Sequence, residues 1–133
     1  MQLASIRIIT DDLDRLVSFD EQLTRVTAER PAPPFAEFVL PGATLAIGQS
    51  QTVGLFGAGS ARAADNHSVI IEFRVDDVDA EYTRLKALVS EWVQGPTTMP
   101  WGNRSILFRD PDSNLVNLFA PVTEEAIQRF QGR

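Results

Sequence analysis

The sequence contains no cysteine and only one histidine among its 133 residues. Without thiolates the chain can form no disulfide framework, no iron–sulfur cluster and no cysteine-based zinc site. A single imidazole supplies one nitrogen ligand, so a metal site would need carboxylates, waters or groups from another subunit. The composition therefore excludes thiolate sites and multi-histidine sites within one chain.

Basic side chains and long apolar segments are also scarce. Twelve Lys and Arg residues are outnumbered by 18 Asp and Glu residues, which gives a net charge of -6 and an isoelectric point near 4.7. Nucleic-acid binding depends on clustered Lys and Arg, and a helix that spans a bilayer needs about 20 apolar residues in a row. The N-terminal segment lacks the cationic start and apolar stretch of a secretory signal. We therefore expect a cytoplasmic protein with no nucleic-acid or membrane partner.

The first half of the chain alternates between two hydrophobic patterns. Short runs rich in β-branched residues predict strands, and segments that follow aspartates, with apolar residues at steps of three and four, predict helices. Residues 49–66 are rich in glycine and small residues, show no period and are interpreted as a linker. The predicted elements before this linker are a strand at 3–10, a helix at 13–25, and strands at 26–29, 35–40 and 43–48.

The second half repeats the same order of elements. A strand at 67–75 leads into a helix, whose apolar positions are Val78, Tyr82, Leu85, Val89 and Trp92. Three further strands are predicted at 92–94, 103–109 and 115–120, and a C-terminal helix at about 123–130 with Thr123 as its N-cap.

The repeat is visible in individual residues. Asp12-Leu13-Asp14 aligns with Asp77-Val78-Asp79, 65 residues later. With the same offset, Ile6 and Ile8 align with Ile71 and Phe73. The sequence therefore predicts a single α+β domain over residues 1–133, built from two tandem β-α-β-β-β modules at about 3–48 and 67–121.

The last strands resemble a known family. Trp101-Gly102-Asn103-Arg104, followed by Phe108-Arg109-Asp110-Pro111-Asp112-Ser113-Asn114-Leu115-Val116-Asn117-Leu118-Phe119, resembles the final strands of the vicinal oxygen chelate family. This family is also called the glyoxalase, bleomycin-resistance and dioxygenase family, and its usual ending reads Asp-Pro-Asp-Gly-Asn, two apolar residues and Glu. Ser113 replaces the turn glycine, a position that can require a positive φ. The resemblance covers about residues 3–121 and implies two curved mixed sheets around a cup.

Catalytic members of this family hold a divalent metal in that cup, with His or Glu ligands from the first and last strand of each module. Transferred one at a time to this sequence, the four ligand positions fall on Ser5, Ala46, Ile70 and Asn117. None of these side chains is a good metal ligand. His67 lies three residues before the position of Ile70, and an odd displacement along a strand points to the opposite face. The resemblance therefore implies no metal and no other cofactor.

Strand side chains alternate between the two faces of a sheet, so these positions also predict what else would line the cup. The predicted lining includes Arg7, Glu72, Ser105, Leu107, Leu115 and Phe119. Such a mainly apolar surface with a few polar groups is typical of small-molecule sites. The opposite face, which would pack on the helices, is apolar throughout and comprises Ile6, Ile8, Ile71, Phe73, Val116 and Leu118.

Two features of this lining have alternative interpretations. Arg7 and Glu72 either form an internal ion pair or leave one charge for a ligand, and Glu72 would suit a cationic group. Trp101, with Phe38 on the matching strand, either forms a stacking wall at the mouth or packs within an exposed loop. The candidate ligand-binding residues are Arg7, Phe38, Glu72, Trp101, Leu107, Asn117 and Phe119, and no catalytic residue is assigned.

The resemblance also implies a function. Metal-free members of the family sequester bleomycin or other antibiotics at a dimer interface, and Pro100-Trp101-Gly102-Asn103-Arg104 resembles the segment near that crevice. A homodimeric, metal-independent protein that binds a cationic or aromatic small molecule is therefore expected, with antibiotic sequestration as one such role. Two alternatives stay open: a glyoxalase-like lyase, isomerase or dioxygenase with an atypical site, and an interaction module without a ligand.

Overall fold

A computed structural model describes residues 1–133, which divide into two units, Met1–Asn66 and His67–Arg133. The first unit contains one four-stranded sheet in the order β1-β4-β3-β2. β1 and β4 are parallel, whereas β4 with β3 and β3 with β2 are antiparallel. Its elements are β1 (Ser5–Thr10), α1 (Leu13–Thr24), β2 (Glu29–Ala32), β3 (Phe35–Leu40), β4 (Ala43–Gln49) and a 3₁₀ helix (Ser50–Leu55).

The second unit has the same architecture. Its sheet has the order β5-β8-β7-β6, with a parallel β5/β8 pair and antiparallel neighbours elsewhere. Each unit is thus a β-α-β-β-β module, and the predicted α+β class is confirmed. The elements are β5 (Ile70–Arg74), α2 (Val78–Leu85), β6 (Glu91–Thr98), β7 (Asn103–Arg109), β8 (Leu115–Pro121) and α3 (Glu124–Phe130).

The repeated aspartates begin the two main helices. Asp12 accepts a hydrogen bond from the backbone N–H of Arg15 at 3.1 Å, and Asp77 accepts one from Ala80 at 3.1 Å. Thr123 caps α3 in the same way, accepting from Ala126 at 3.3 Å. Each cap satisfies a backbone donor that the first helical turn leaves unpaired. The repeat therefore encodes the strand-to-helix junctions.

One apolar face of each sheet forms the core of its own unit. In the first unit the fully or nearly fully buried side chains are Leu16, Val17, Ala36, Phe38 and Ile47. In the second they are Leu85, Ile106, Phe108, Val116 and Leu118. Arg104, on the helix-facing side of β7, adds a bidentate pair with Asp79 of α2, at 2.7 and 2.9 Å. This hydrogen-bonded pair lowers the pKa of Asp79.

Several predicted boundaries are wrong. β2 occupies Glu29–Ala32 rather than 26–29, and β5 begins at Ile70, so His67 precedes the strand. α2 ends at Leu85, whose carbonyl accepts from the N–H of Val89 in the following turn. The predicted helix extended past this point because Val89 is apolar and continues the helical spacing. In the structure Val89 is buried although the helix has already ended.

The edge strand β6 was predicted too short. It spans Glu91–Thr98, and Trp92 packs edge-on against Tyr82 and Phe108 at centroid distances of 4.7 and 5.4 Å. β6 contains Gly95 and Pro96 and two irregularities in its pairing with β7. Glycine and proline break the sequence signal of a strand, yet a sheet edge tolerates both.

Within the predicted linker the structure also has the 3₁₀ helix Ser50–Leu55. None of the helices is both long enough and apolar enough to span a bilayer.

The turn between β7 and β8 is organised by a buried carboxylate. Asp110 accepts from the backbone N–H groups of Asp112 and Asn114, both at 2.9 Å, and from the Asn114 side chain at 2.8 Å. Burial raises the pKa of Asp110, although the hydrogen bonds from Asn114 and Asp112 oppose this effect. Ser113, between these partners, has φ of 64°.

Replacing Ser113 with glycine is expected to stabilise the protein. Glycine adopts a positive φ without a steric penalty, so Ser113→Gly should raise the free energy of unfolding by about 0.5–1 kcal/mol after its extra unfolded-state entropy is counted. Ser113→Ala keeps the strained backbone and is the matched control. Urea unfolding of both variants measures the difference, and a Gly variant no more stable than the Ala variant would contradict the interpretation.

Gly102 allows α3 to pack against the β6–β7 turn. Its φ is 93°, and a Cβ added there would collide with the Thr123 hydroxyl and lie 2.9 Å from the Cβ of Ala126. The N–H of Val122 donates to the Gly102 carbonyl at 2.9 Å, which fixes the same contact through the backbone.

Gly102→Ala should therefore destabilise the protein by about 2–4 kcal/mol, because overpacking is added to the cost of a positive φ. Gly42→Ala is the matched control, since Gly42 has a φ of 89° but no atom within 4 Å of an added Cβ. It should cost only about 1–2 kcal/mol. Equal losses in thermal or chemical unfolding would show that packing against α3 is unimportant.

Candidate functional site

In the second sheet, three predicted site residues lie side by side on one face. Glu72 of β5 pairs with Asn117 of β8, which in turn pairs with Leu107 of β7. Residues directly opposite in neighbouring strands project from the same face. The side-chain N–H of Asn117 donates to Glu72 Oε2 at 2.7 Å. We call Glu72 and Asn117 the acceptor pair.

The acceptor pair leaves one polar atom without a hydrogen bond. Asn117 is 9% exposed, and its Oδ1 atom is buried and lacks a hydrogen-bond partner. The bond to Glu72 fixes the amide orientation, because turning the amide over would bring Oδ1 against the carboxylate. A buried acceptor without a partner costs about 1–3 kcal/mol. The acceptor pair therefore favours an incoming hydrogen-bond donor.

The row next to the acceptor pair is partly covered by the C-terminal helix. Phe119 of β8, opposite Ser105 of β7, packs on Phe130 of α3 with ring centroids 5.4 Å apart. Arg74 lies over the same Phe130 ring at 5.6 Å and donates to the Phe130 carbonyl at 3.4 Å. The predicted contact residue Phe119 is thus half-buried beneath α3, and Ser105 is buried.

The corresponding row of the first sheet is chemically different. Arg7 of β1 pairs with Ala46 of β4, and Ala46 pairs with Glu37 of β3. The Arg7 guanidinium carbon lies 4.9 Å from the ring centroid of Phe35 and 5.4 Å from that of Phe56. Arg7 and Glu72 belong to different units, and the ion pair between them stays a prediction.

Of the four positions at which the resemblance places metal ligands, Ala46 and Asn117 are equivalent in the two units. Ala46 lies opposite Arg7 just as Asn117 lies opposite Glu72, and Arg7 and Glu72 occupy equivalent positions of the repeat. Neither unit offers good ligands for a divalent metal at these positions, because the first has a hydroxyl and a hydrocarbon and the second has a hydrocarbon and an amide whose nitrogen donates to Glu72. The structure contains no group of three or more His, Asp or Glu side chains placed to hold a metal ion.

Two predicted wall residues have different surroundings. Phe38 is fully buried in the core of the first unit, so its predicted place at a binding surface is wrong. Its neighbour Glu37 projects from the opposite face, as strand alternation requires. Trp101 is 55% exposed in the turn between β6 and β7, beyond the row of the acceptor pair. Its role as a ligand contact stays a prediction.

Sequence reasoning missed Phe35, Phe56 and Glu37. Phe35 and Glu37 could have been found from strand alternation, since they share a face with Ala46 through the β3/β4 register. Phe56 follows the 3₁₀ helix within the predicted linker, and no local pattern indicates its approach to Arg7.

A shallow cavity of about 290 Å³ lies at the β1–α1 junction, among Asp11, Asp12, Asp14, Pro34 and Gln49. Each carboxylate there already has a partner. Asp12 caps α1, Asp14 pairs with Arg30 at 3.0 Å, and Asp11 accepts from the Ser50 hydroxyl. The side-chain amide of Gln49 joins the same junction by donating to the Asp11 carbonyl at 2.7 Å. These contacts organise the junction, so the cavity is not the preferred ligand site.

The fold and strand register can be compared with known proteins. A glyoxalase/bleomycin resistance protein/dioxygenase from Nocardioides is 25% identical, with a TM-score of 0.76 over 93% of this chain and 85% of that chain. A family enzyme of the same description from Burkholderia phytofirmans is 16% identical, with a TM-score of 0.81 over 92% and 100% of the two chains. A lactoylglutathione lyase from Agrobacterium tumefaciens is 22% identical, with a TM-score of 0.69 over 89% and 92%.

Curated proteins give no significant match. The profile described as the glyoxalase/bleomycin resistance protein/dioxygenase superfamily matches residues 2–118, which is most of the chain. The matched residues span both β-α-β-β-β units. In each unit the first and last strands are parallel. The chain belongs to the glyoxalase/bleomycin resistance protein/dioxygenase superfamily.

Proposed function

We propose that this protein binds a small molecule without a metal and that its role is sequestration rather than catalysis. The observation that carries this proposal is the acceptor pair, in which a carboxylate and a buried, unpartnered amide oxygen lie side by side. The family resemblance implies that metal-holding members place a ligand at the position of Asn117. Here that position offers a hydrogen-bond acceptor instead.

The acceptor pair defines the chemistry of the group it would bind. Both Asn117 Oδ1 and the carboxylate of Glu72 accept hydrogen bonds, so a ligand must supply donors. A protonated amine or an amidine provides several N–H groups and a positive charge, and charge-assisted hydrogen bonds are the stronger ones. Leu107, half-buried beside Asn117, adds apolar surface. A cationic ligand with an apolar or aromatic body therefore fits best.

The proposed role is sequestration of a basic antibiotic by a cytoplasmic homodimer. Bleomycin-resistance proteins share this superfamily, and sequestration of a basic antibiotic is consistent with the net charge of -6. We expect the working form to be a cytoplasmic homodimer. Size-exclusion chromatography with light scattering checks the oligomeric state.

The first test concerns metal. Purified protein, stripped with a chelator, is titrated calorimetrically with nickel, manganese, zinc and iron(II) salts. No saturable binding is expected, because hydroxyl, hydrocarbon and amide groups compete poorly with water for these ions.

A matched variant shows that the assay can detect a site. Ile70→His/Asn117→Glu adds two strong ligands to the face that carries Glu72, and it should bind nickel or zinc measurably. Tight stoichiometric binding by the unmodified protein would contradict the proposal and favour a metal-dependent lyase, isomerase or dioxygenase.

The second test concerns the ligand. Thermal shifts are recorded with a library of amines, amidines and basic antibiotics, and the strongest hit is titrated against Glu72→Gln. This substitution removes the charge but keeps a similar shape, so affinity should fall by about tenfold or more, as expected for a lost charge-assisted hydrogen bond.

Glu91→Gln is the control for the second test, because Glu91 is an exposed glutamate in β6 of the same unit. It should leave affinity unchanged. A hit that is equally sensitive to both substitutions would show a general charge effect rather than binding at the acceptor pair. No hit in any compound class would favour an interaction module without a ligand.

A further inference from the structure

Arg7 has an unusual course across the first sheet. It begins on the edge strand β1, and a Cβ added at Gly48 of β4 would lie 3.7 Å from the Arg7 Cδ atom. Gly48 pairs with Phe35 of β3. The Arg7 stem therefore crosses β4 beside Gly48 and brings its guanidinium to the Phe35 ring.

Two aromatic rings hold the guanidinium without using its hydrogen-bond donors. Phe35 and Phe56 lie within cation–π distance, at 4.9 and 5.4 Å. The structure shows no hydrogen bond or ion pair to the guanidinium of Arg7. Aromatic rings interact with the flat faces of a guanidinium, whereas its five N–H groups point outward in its plane. Arg7 is therefore oriented, and its donors remain available.

The surroundings of these donors restrict the class of ligand. Ala46, opposite Arg7, is small, and next to the guanidinium Phe56 is 77% exposed and its neighbour Leu55 is 84% exposed. This surface is apolar and suits a hydrocarbon or aromatic body. Glu37 lies on the same face across Ala46 and would repel a second negative charge. A monoanion with an apolar body fits these features better than a phosphate or a dicarboxylate.

We propose that Arg7, Phe35 and Phe56 form a recognition site for the carboxylate of a small apolar or aromatic acid. A carboxylate matches the fork of N–H groups on arginine and can accept two parallel hydrogen bonds. The exposed Phe56 ring covers the body of the acid. This assignment rests on the proposed small-molecule binding. It adds a second class of ligand group, a carboxylate, which the first unit would bind.

Benzoate is the probe, and benzamide and benzylamine are its neutral and cationic counterparts. Binding to the full-length protein is followed by chemical-shift changes in ¹H–¹⁵N spectra and by calorimetry. Benzoate should bind saturably and shift the resonances of Arg7 and of residues 55–56, whereas benzamide and benzylamine should leave these resonances unshifted.

Arg7→Lys keeps the charge but removes the planar guanidinium that can bind a carboxylate in a bidentate manner. Benzoate affinity should therefore fall by about tenfold. Phe56→Leu keeps apolar surface but removes the ring and should also weaken binding. Arg74→Lys is the control, because Arg74 also lies over an aromatic ring but donates to the Phe130 carbonyl. It should leave benzoate binding unchanged.

The outcomes separate the two proposals. No benzoate binding, or binding that Arg7→Lys leaves unchanged in a folded variant, overturns the carboxylate site. If amines still bind through Glu72 in that case, the proposed function stands without it. If benzoate binds with the expected dependence on Arg7 while no amine binds, the acceptor pair is not the ligand site and only the carboxylate site remains.

Discussion

The parallel pairing of the first strand with the last strand of each unit is the constraint on which the candidate sites depend. In the second unit it places Glu72 beside Asn117, and in the first it places Arg7 beside Ala46. Residues that are far apart in sequence thereby share one face of a sheet. A one-residue slip in either pairing would turn one partner's side chains toward the helices and break the arrangement in that unit. The helix caps and buried cores stabilise this register.

The two units use equivalent positions for different chemistry. In the second unit, the Glu72 carboxylate accepts a hydrogen bond from the Asn117 amide, whose own oxygen has no hydrogen-bond partner. In the first, an arginine held by two rings offers donors. A duplicated module can diverge in this way because the core faces preserve the fold while the opposite faces are free to vary. The same divergence explains why superfamily membership alone does not assign a reaction here.

Much of the fold could be predicted from the sequence, because the repeated Asp residues mark helix starts and β-branched runs mark strands. The placement of Glu72 and Asn117 on one face also follows from strand alternation once the repeat is recognised. The end of α2 could not be located, since the buried Val89 continues the helical period beyond Leu85. β6 was underestimated because its Gly95 and Pro96 are tolerated only at a sheet edge. Phe38 was misplaced because it was grouped with Trp101 rather than assigned by alternation with Glu37. The contact of Phe56 with Arg7 depends on tertiary packing that no local pattern encodes.

The central claim is that the acceptor pair binds an N–H donor without a metal. The most direct measurement is the side-chain amide resonance of Asn117 in chelator-treated protein, recorded while a cationic library hit is added. The account predicts a saturable shift of this resonance that is the same with and without chelator and is lost in Glu72→Gln. Binding that disappears with chelator and returns with a divalent metal would contradict it.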